Sequence, residues 1–467
     1  MAETEPDTAP ETAEPPIQAE DLIGLNPSLS RSISQALDDG DDDAVNSLIE
    51  PLHYVEIANL LEQMHPESRR MFVEHHSSNF DPEILPELDE NVRNEVAEIL
   101  GINTLSTAVS MLESDDALNL LSTLEDSRRD SVMAAVPAAV RTALAEGLKF
   151  AEDSAGRLMQ RDFVAVPAFW TVGETIDFLR DSVDLPNDFY DVFIVDPGHR
   201  PIGTVTLSRI LRSKRPVQMD EIMQPEILSV PVTMDQEEVA YIFSQYHLVS
   251  APVIDDGGRL IGVIMVDDVV EVIHEEAEED FMRLGGVRED DLYAAVLDTG
   301  RSRFSWLFVN LGTALLASIV IGFFQGTIEQ IVMLAVLMPI AASMGGNAGT
   351  QTLTVVVRAI AMKEITGANA GRVISKEILV GIFNGLMFAV IIGAAAWLWT
   401  GELPIGLVMA AAIIVTMFVA GLAGTAIPLG LSRTGVDPAV ASGVFLTTIT
   451  DVVAFCAFLG LASLFLL

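Results

Sequence analysis

Cysteine and basic residues are scarce in this chain, and several catalytic signatures are absent. Its single cysteine, Cys456, lies in an apolar run and can close no internal disulfide, so the sequence carries no redox information. Only 26 Lys and Arg stand against 67 Asp and Glu in 467 residues, a formal net charge of −41, which repels phosphate backbones and excludes nucleic acid as a natural partner. The C-terminal half holds no His/Cys cluster, no Gly-x-Ser-x-Gly elbow and no Walker loop, so it does not read as an enzyme. The first twenty residues have neither a basic start nor an apolar core. They read as a disordered acidic tail, residues 1–24, rather than a signal peptide.

The charge is unevenly placed. Residues 301–467 carry seven basic residues (Arg301, Arg303, Arg358, Lys363, Arg372, Lys376, Arg433) and six acidic ones (Glu329, Glu364, Glu377, Glu402, Asp437, Asp451), a net of about +1 that leaves about −42 on residues 1–300. The neutral half contains five apolar stretches, about 304–324, 331–357, 378–399, 405–431 and 439–467, against the ~20 residues a spanning helix needs. With a cytosolic N-terminus, the connections 358–377 and 432–438 fall inside and hold Arg358, Lys363, Arg372, Lys376 and Arg433. The outside connections hold Glu329 and Glu402 and no Lys or Arg, which is the positive-inside pattern and puts the C-terminus outside.

Polar residues mark the faces that avoid lipid. In the second span Asn347, Gln351, Thr354 and Arg358 recur at helical spacing, and in the fifth Gly443, Thr447 and Asp451 do so, flanked by Thr448 and Thr450. A carboxylate as deep as Asp451 costs a few kcal/mol unless a cation, a proton or water compensates it, so an ion path is the first reading and a packing aspartate the alternative. The run Met344-Gly345-Gly346-Asn347-Ala348-Gly349-Thr350-Gln351 follows Pro339 in the same span. Such residues either loosen the helical ladder, as a carbonyl filter would require, or let helices approach closely.

The segments Gly345 to Gln351 and Thr447-Thr448-Ile449-Thr450-Asp451-Val452 resemble the signature helices of the MgtE family of Mg²⁺ channels, and Gly435-Val436-Asp437-Pro438-Ala439 extends the likeness. The resemblance implies a homodimer whose second and fifth helices line a shared pore. In that pore Asp451 would hold hydrated Mg²⁺ with Asn347 nearby, and Gly345, Gly346, Gln351, Gly443 and Thr447 would line it, with Asp437 near the inner mouth. Val444 departs from the family, where proline often follows Gly443, and makes a local bend an open point. Mg²⁺ keeps its waters and takes one or two carboxylates, which suits a single aspartate per chain. The absence of a neighbouring His or Cys disfavours Zn²⁺ or Cu⁺, while Mn²⁺ and Co²⁺ stay open.

The acidic half is built of repeats. Leu158-Met159-Gln160 leading to Val164-Ala165-Val166-Pro167 recurs 64 residues later as Ile222-Met223-Gln224 leading to Leu228-Ser229-Val230-Pro231. Each copy continues through an amphipathic helix to two short β-branched runs, and the whole resembles a tandem cystathionine-β-synthase (CBS) pair. That resemblance makes ATP a candidate ligand, although Asp191, with Tyr190 before it, stands where an adenine-stacking aromatic is expected. Upstream, residues 55–64 recur at 115–124, each followed by Ser-Arg-Arg (Ser68-Arg69-Arg70 and Ser127-Arg128-Arg129), and predict stacked short helices.

Residues 267–280 are strongly acidic, with Asp268, Glu271, Glu275 and Glu279 on one helical face and Glu276 and Asp280 beside it. Like charges at this spacing destabilise a helix by ~0.2–0.5 kcal/mol per pair unless cations neutralise them. In the family this position is a plug helix, expected to break near Gly285-Gly286, and matching positions make Asp235, Glu237, Asp268, Glu271, Glu276, Glu279 and Asp280 Mg²⁺ sensors, with Asp115 and Asp116 contributing. His247 stands where the family has an acidic ligand. The expected fold is therefore multidomain: an all-α superhelix (25–150), an α/β tandem CBS pair (151–267), an acidic connecting helix (268–302) and an α-helical five-span pore (303–467). The expected activity is Mg²⁺ uptake across the plasma membrane by a lipid-embedded dimer that Mg²⁺ itself shuts. Other divalent cations, export, and a CBS-bearing membrane enzyme or scaffold are the competing readings.

Overall fold

A computed structural model describes residues 27–182, 185–186, 188–287 and 296–467. The acidic tail expected at 1–24 therefore lies outside the described residues. The chain divides into two compact units, residues 1–269 and 270–467.

Among its described residues the first unit begins with nine short α-helices: α1 (Pro27–Asp39), α2 (Asp42–Ile49), α3 (Tyr54–Gln63), α4 (Pro66–His76), α5 (Glu90–Ile99), α6 (Ile102–Met111), α7 (Ser114–Thr123), α8 (Asp126–Ala135) and α9 (Ala138–Gly147). Asp41 and Asp89 cap α2 and α5 with their carboxylates, and Pro66 starts α4, where a missing N–H costs nothing. The repeated arginines have a structural purpose. Arg69 donates to the carbonyls of Leu61 and Met64 at the end of α3, Arg128 to those of Ala97 and Leu100 at the end of α5, and Arg141 to Met133, Ala134 and Val136 at the end of α8. Each guanidinium satisfies carbonyls that a helix terminus leaves unpaired, pinning one helix to the next over a continuous Leu/Val core.

The expected CBS repeat is present. Strands β1 (Ala165–Pro167), β2 (Asp191–Val195) and β3 (Pro201–Thr206) form one sheet, and β4 (Val230–Pro231), β5 (Ser250–Ile254) and β6 (Leu260–Met265) a second. In both, the first pair is parallel and the second antiparallel. Helices α10 (Ala155–Leu158), α11 (Val172–Asp181), α12 (Leu207–Arg212), α13 (Met219–Ile222) and α14 (Gln236–Tyr246) complete the pair. The Met-Gln segments each pair with a sheet: Gln224 with Thr204 of β3, and Gln160 with Val263 of β6. This explains Gly203 and Gly262, because a Cβ on either would come within 2.8 Å of the Gln224 or Gln160 carbonyl and strike Met223 or Met159.

Helix α15 (Val266–Gly285) begins in the first unit and belongs mostly to the second. It ends where the sequence predicts, at Gly286 with φ +68, which only glycine adopts freely. The second unit continues with α16 (Val296–Phe323), short α17 (Gln325–Gln330), α18 (Met333–Ala361), α19 (Ala370–Thr400), α20 (Leu403–Arg433) and α21 (Pro438–Phe465). Residues 296–302, expected in the connecting helix, are instead the first turns of α16. Among the described residues four helices are long and apolar enough to cross a membrane: 296–323, 370–400, 403–433 and 442–465. Helix α18 is not among them, although its 29 residues are long enough. Its Gly345–Gln351 stretch lowers its mean hydropathy, and its neighbours α20 and α21 cover its apolar face. The apolar residues of α16, such as Phe304, Leu307, Leu311 and Leu315, are largely exposed, as a lipid-facing helix requires.

The glycine-rich run does not loosen α18, which runs unbroken through Pro339 from Met333 to Ala361. Of the two readings open for this run, close packing is the one seen at Gly345 and Gly349. Gly345 lies against Thr416 of α20 and Thr450 of α21, and Gly349 lies against Leu446. Helix α21 also runs unbroken through Val444.

Candidate functional site

Among the described residues, Glu113, Asp115 and Asp268 are the one group of three or more potential metal ligands brought together, with ligand oxygens within 4.8 Å of one another. The site is assembled from the middle and the C-terminal end of the first unit. Glu113 is the N-cap residue of α7, and its side chain makes no cap hydrogen bond, which leaves the carboxylate available. Asp115 occupies the first turn of the same helix, where the N-terminal dipole favours negative charge. Asp268 sits in the first turn of α15, its Oδ2 accepting from the Met265 amide at 3.4 Å. Gln160 ties the two elements together, donating from Nε2 to Glu113 at 2.5 Å and to Asp268 at 3.1 Å.

Electrostatics leave this group one charge carrier short. Burial, followed by the charge of Asp267, pushes the Asp268 carboxyl up to about 8. Burial, then Asp268 and Asp116, raises Asp115 well above the carboxylate range, and burial, then Asp267, raises Glu113. The buried Oδ1 of Asp115 has no hydrogen-bond partner. Three carboxylates that repel one another, with an unsatisfied buried oxygen, form a site that a hard divalent cation would complete, since oxygen ligands are what Mg²⁺ and Ca²⁺ take.

Of the expected sensors, the structure brings Asp115 and Asp268 together and adds Glu113, which sequence reasoning missed. Asp116 contributes charge to the group without being one of the three ligands. Asp235 caps α14, its carboxylate accepting from the Glu237 amide at 2.9 Å, and neither Asp235 nor Glu237 belongs to the three-carboxylate group. His247 ends α14 in the left-handed conformation with φ 53, so its backbone terminates a helix.

Glu271, Glu276, Glu279 and Asp280 lie on α15 within the second unit. Its last turns meet the start of α21: Arg283 pairs with Glu279, and its Nη1 donates to Asp437 at 2.8 Å. Asp437 also caps α21, accepting from the Ala439 amide at 2.8 Å. Burial, then Asp437 and Glu276, pushes the Asp280 carboxyl up to about 6. Leu284 packs against a cluster of Leu353, Val357, Ala423, Ala439 and Leu446.

Deeper in this unit, Asn347, Gln351, Thr354 and Arg358 are all exposed, on one face of α18. On α21, Thr447 is exposed, Asp451 and Gly443 are half-buried, and Thr450 is buried beside Gly345. Gly346 is half-buried and Gly345 fully packed, so of the two only Gly346 borders the open face. Glu377 is a second acid within the helical bundle that the sequence did not flag. It is 8 % exposed, and its carboxylate accepts from Thr352 at 3.3 Å with Lys376 at 3.5 Å.

Profiles of known families match along the chain: MgtE, a divalent cation transporter, over residues 338–461; the MgtE intracellular N domain over 52–153; and CBS domains over 155–215 and 219–275. The magnesium transporter MgtE of Enterococcus faecalis is 32 % identical over 321 residues, 69 % of this chain and 71 % of that one. The chain belongs to the MgtE family of magnesium transporters. The Thermus thermophilus MgtE is 29 % identical over 457 residues, covering 95 % of this chain and 99 % of its own. A solved cytosolic domain of the Mg²⁺ channel MgtE in complex with ATP is 28 % identical over 52 % of this chain and 99 % of its own, with a TM-score of 0.48. Together with the four apolar helices, the family makes this a multi-pass membrane protein.

Proposed function

We propose that this chain is a transporter, not an enzyme, through which Mg²⁺ enters across the plasma membrane, and that Mg²⁺ bound by its acidic cytosolic domains holds it shut. The observation that carries the reading is that one helix, α15, has Asp268 of the three-carboxylate group in its first turn and the Arg283–Asp437 contact in its last. Fifteen residues of α15 separate the two positions, so one helix carries both features.

With cytosolic Mg²⁺ abundant, the ion neutralises Glu113, Asp115 and Asp268, and α7 and α15 stay together. With Mg²⁺ scarce, repulsion among the same acids parts them, and α15 withdraws from the start of α21. The closed state binds Mg²⁺ better than the open one, so the permeant ion is also the inhibitor. Glu271, Glu276, Glu279 and Asp280 add to the acidic face, and Asp235, Glu237 and Asp116 are further sensor candidates.

Permeation is assigned to α18 and α21 from two copies of the chain. The exposed polar face of α18, including Asn347 and Gln351, and the Gly443–Thr447–Asp451 face of α21 suit a wall shared across a dimer, with Asp437 at the inner mouth. Asp451 would contact Mg²⁺ through retained water, which binds the ion without trapping it. Five spans then place the N-terminus in the cytosol and the C-terminus outside. A cleft of the CBS pair lined by Phe163, Tyr190, Asp191 and Ser250 is the seat assigned to ATP, although Asp191 is engaged by the Ser250 hydroxyl at 2.7 Å. Equilibrium dialysis of ATP against the purified chain tests that seat, and no binding would remove it.

The deciding experiment is uptake into Mg²⁺-starved cells that lack their own Mg²⁺ transport. The wild-type chain restores growth and Mg²⁺ accumulation, and Asp451→Ala, expressed to the same level, does not. Uptake by Asp451→Ala equal to wild type would remove that residue from the ion path. Uptake of Mn²⁺ or Co²⁺ in preference to Mg²⁺ would reassign the cargo.

A further inference from the structure

The inner end of the second unit gathers four acids: Glu276, Glu279 and Asp280 on α15, and Asp437 at the N-terminus of α21. Such a group is held together only if something positive sits within it. In this chain that charge is supplied by the protein. Arg283 pairs with Glu279 one helical turn before it and donates to Asp437, 154 residues later in sequence. Its guanidinium stands between two carboxylates, the place a bridging cation would take.

The contact is braced on either side. Leu284 is seated in the apolar cluster of α18, α20 and α21. The chain then turns at Gly286, φ +68, under Trp306 of α16, whose Nε1 would lie 2.0 Å from any added Cβ. Arg283 is therefore presented to Asp437 by a fixed helix end.

We infer that Arg283 is a positioning residue, a tethered cation that holds α15 against Asp437 without any metal and so sets how much Mg²⁺ is needed to keep this end closed. The inference deepens the gating reading above and rests on it for its physiological meaning, while the contact itself can be measured separately. A guanidinium is well suited to this position, being always charged and able to engage two carboxylates at once. Arg283 is 41 % and Asp437 33 % exposed, so the pair is partly screened and its contribution is modest. A latch of modest strength can be overcome, which a gate requires.

The test is hydrogen exchange of the α15 amides in the full-length chain, purified in detergent with a metal chelator and then with Mg²⁺. Arg283→Gln should speed exchange over residues 270–285 by roughly fivefold in chelator, the equivalent of about 1 kcal/mol for an ion pair of this exposure. Arg283→Lys should restore most of the protection, and Mg²⁺ should abolish the difference between Arg283→Gln and wild type. Raising KCl should bring wild type toward Arg283→Gln, because screening weakens the pair. Unchanged exchange in Arg283→Gln would overturn the inference, and so would equal loss in Arg283→Gln and Arg283→Lys, which marks packing rather than charge. In uptake assays Arg283→Gln should need more cytosolic Mg²⁺ to shut. If exchange changes as stated while no variant, wild type included, carries Mg²⁺, the latch stands and the transport reading falls.

Discussion

Replacing Asp268 by Asn should stabilise the metal-free protein and blunt its response to Mg²⁺. In the folded chain the Asp268 carboxyl is pushed up to about 8, from the usual value near 4, by burial and then by Asp267, Glu113 and Asp116. A raised acid pKa means that the ionised form is disfavoured in the fold. The stability present below about pH 4 is therefore lost progressively as pH rises toward 8. At pH 7 the shift corresponds to an upper bound of about 4 kcal/mol, which Asn, lacking the charge, would not incur. For a unit of this size each kcal/mol moves Tm by about 2–4 °C, so Asp268→Asn should melt up to about 8–16 °C higher in chelator. Mg²⁺ narrows the gap between the two proteins. A ligand at a hundred times its Kd adds about 2.7 kcal/mol, an increment that needs all three carboxylates and that Asp268→Asn should largely lose. The assay is thermal unfolding of the full-length chain in detergent, with chelator and across a Mg²⁺ titration. An Asn variant less stable than wild type in chelator, or one that keeps the full Mg²⁺ increment, would refute the reasoning.

Other outcomes follow from the same structure. Gly381→Ala should lower Tm measurably, by about 1–3 kcal/mol of overpacking, because its Cβ would lie 2.6 Å from the Met417 carbonyl. Gly430→Ala, with nothing within 4 Å, should be neutral or stabilising in the same melts. Asp280, pushed up to about 6, makes the α15 end tighter in acid: metal-free protection of α15 should fall between about pH 4 and pH 6, and Asp280→Asn should flatten that slope in hydrogen-exchange measurements. Gly262→Ala should destabilise the CBS pair through Met159 and the Gln160 carbonyl, read as a lower Tm and weaker Mg²⁺ protection of α7, since Gln160 also touches Glu113 and Asp268.

The elements that sequence revealed are those written in periodicity. Apolar length located the long helices, repeat spacing located the two CBS halves, and Gly285-Gly286 marked the end of α15. Spacing could not say what each polar residue touches. The Ser-Arg-Arg repeats marked stacked short helices and nothing more, yet Arg69 and Arg128 close helix ends eight and about thirty residues earlier. Glu113 went unnoticed because its role depends on Gln160 and Asp268, both distant in sequence. Arg283 was missed because the acidic run drew attention to its carboxylates, whereas the feature that organises them is one cation reaching Asp437. Gly345 and Gly349 could have signalled either a loosened helix or a tight crossing. The decision lay with partners on α20 and α21 that no local reading contains.

Current across a membrane patch containing the full-length chain, with Mg²⁺ as the only permeant cation and its concentration varied on the cytosolic face alone, tests the gating claim most directly. The account predicts inward Mg²⁺ current at low cytosolic Mg²⁺ that shuts as the ion is raised, with a shallower dependence on Mg²⁺ in Asp268→Asn. Current that persists unchanged across that range would contradict it.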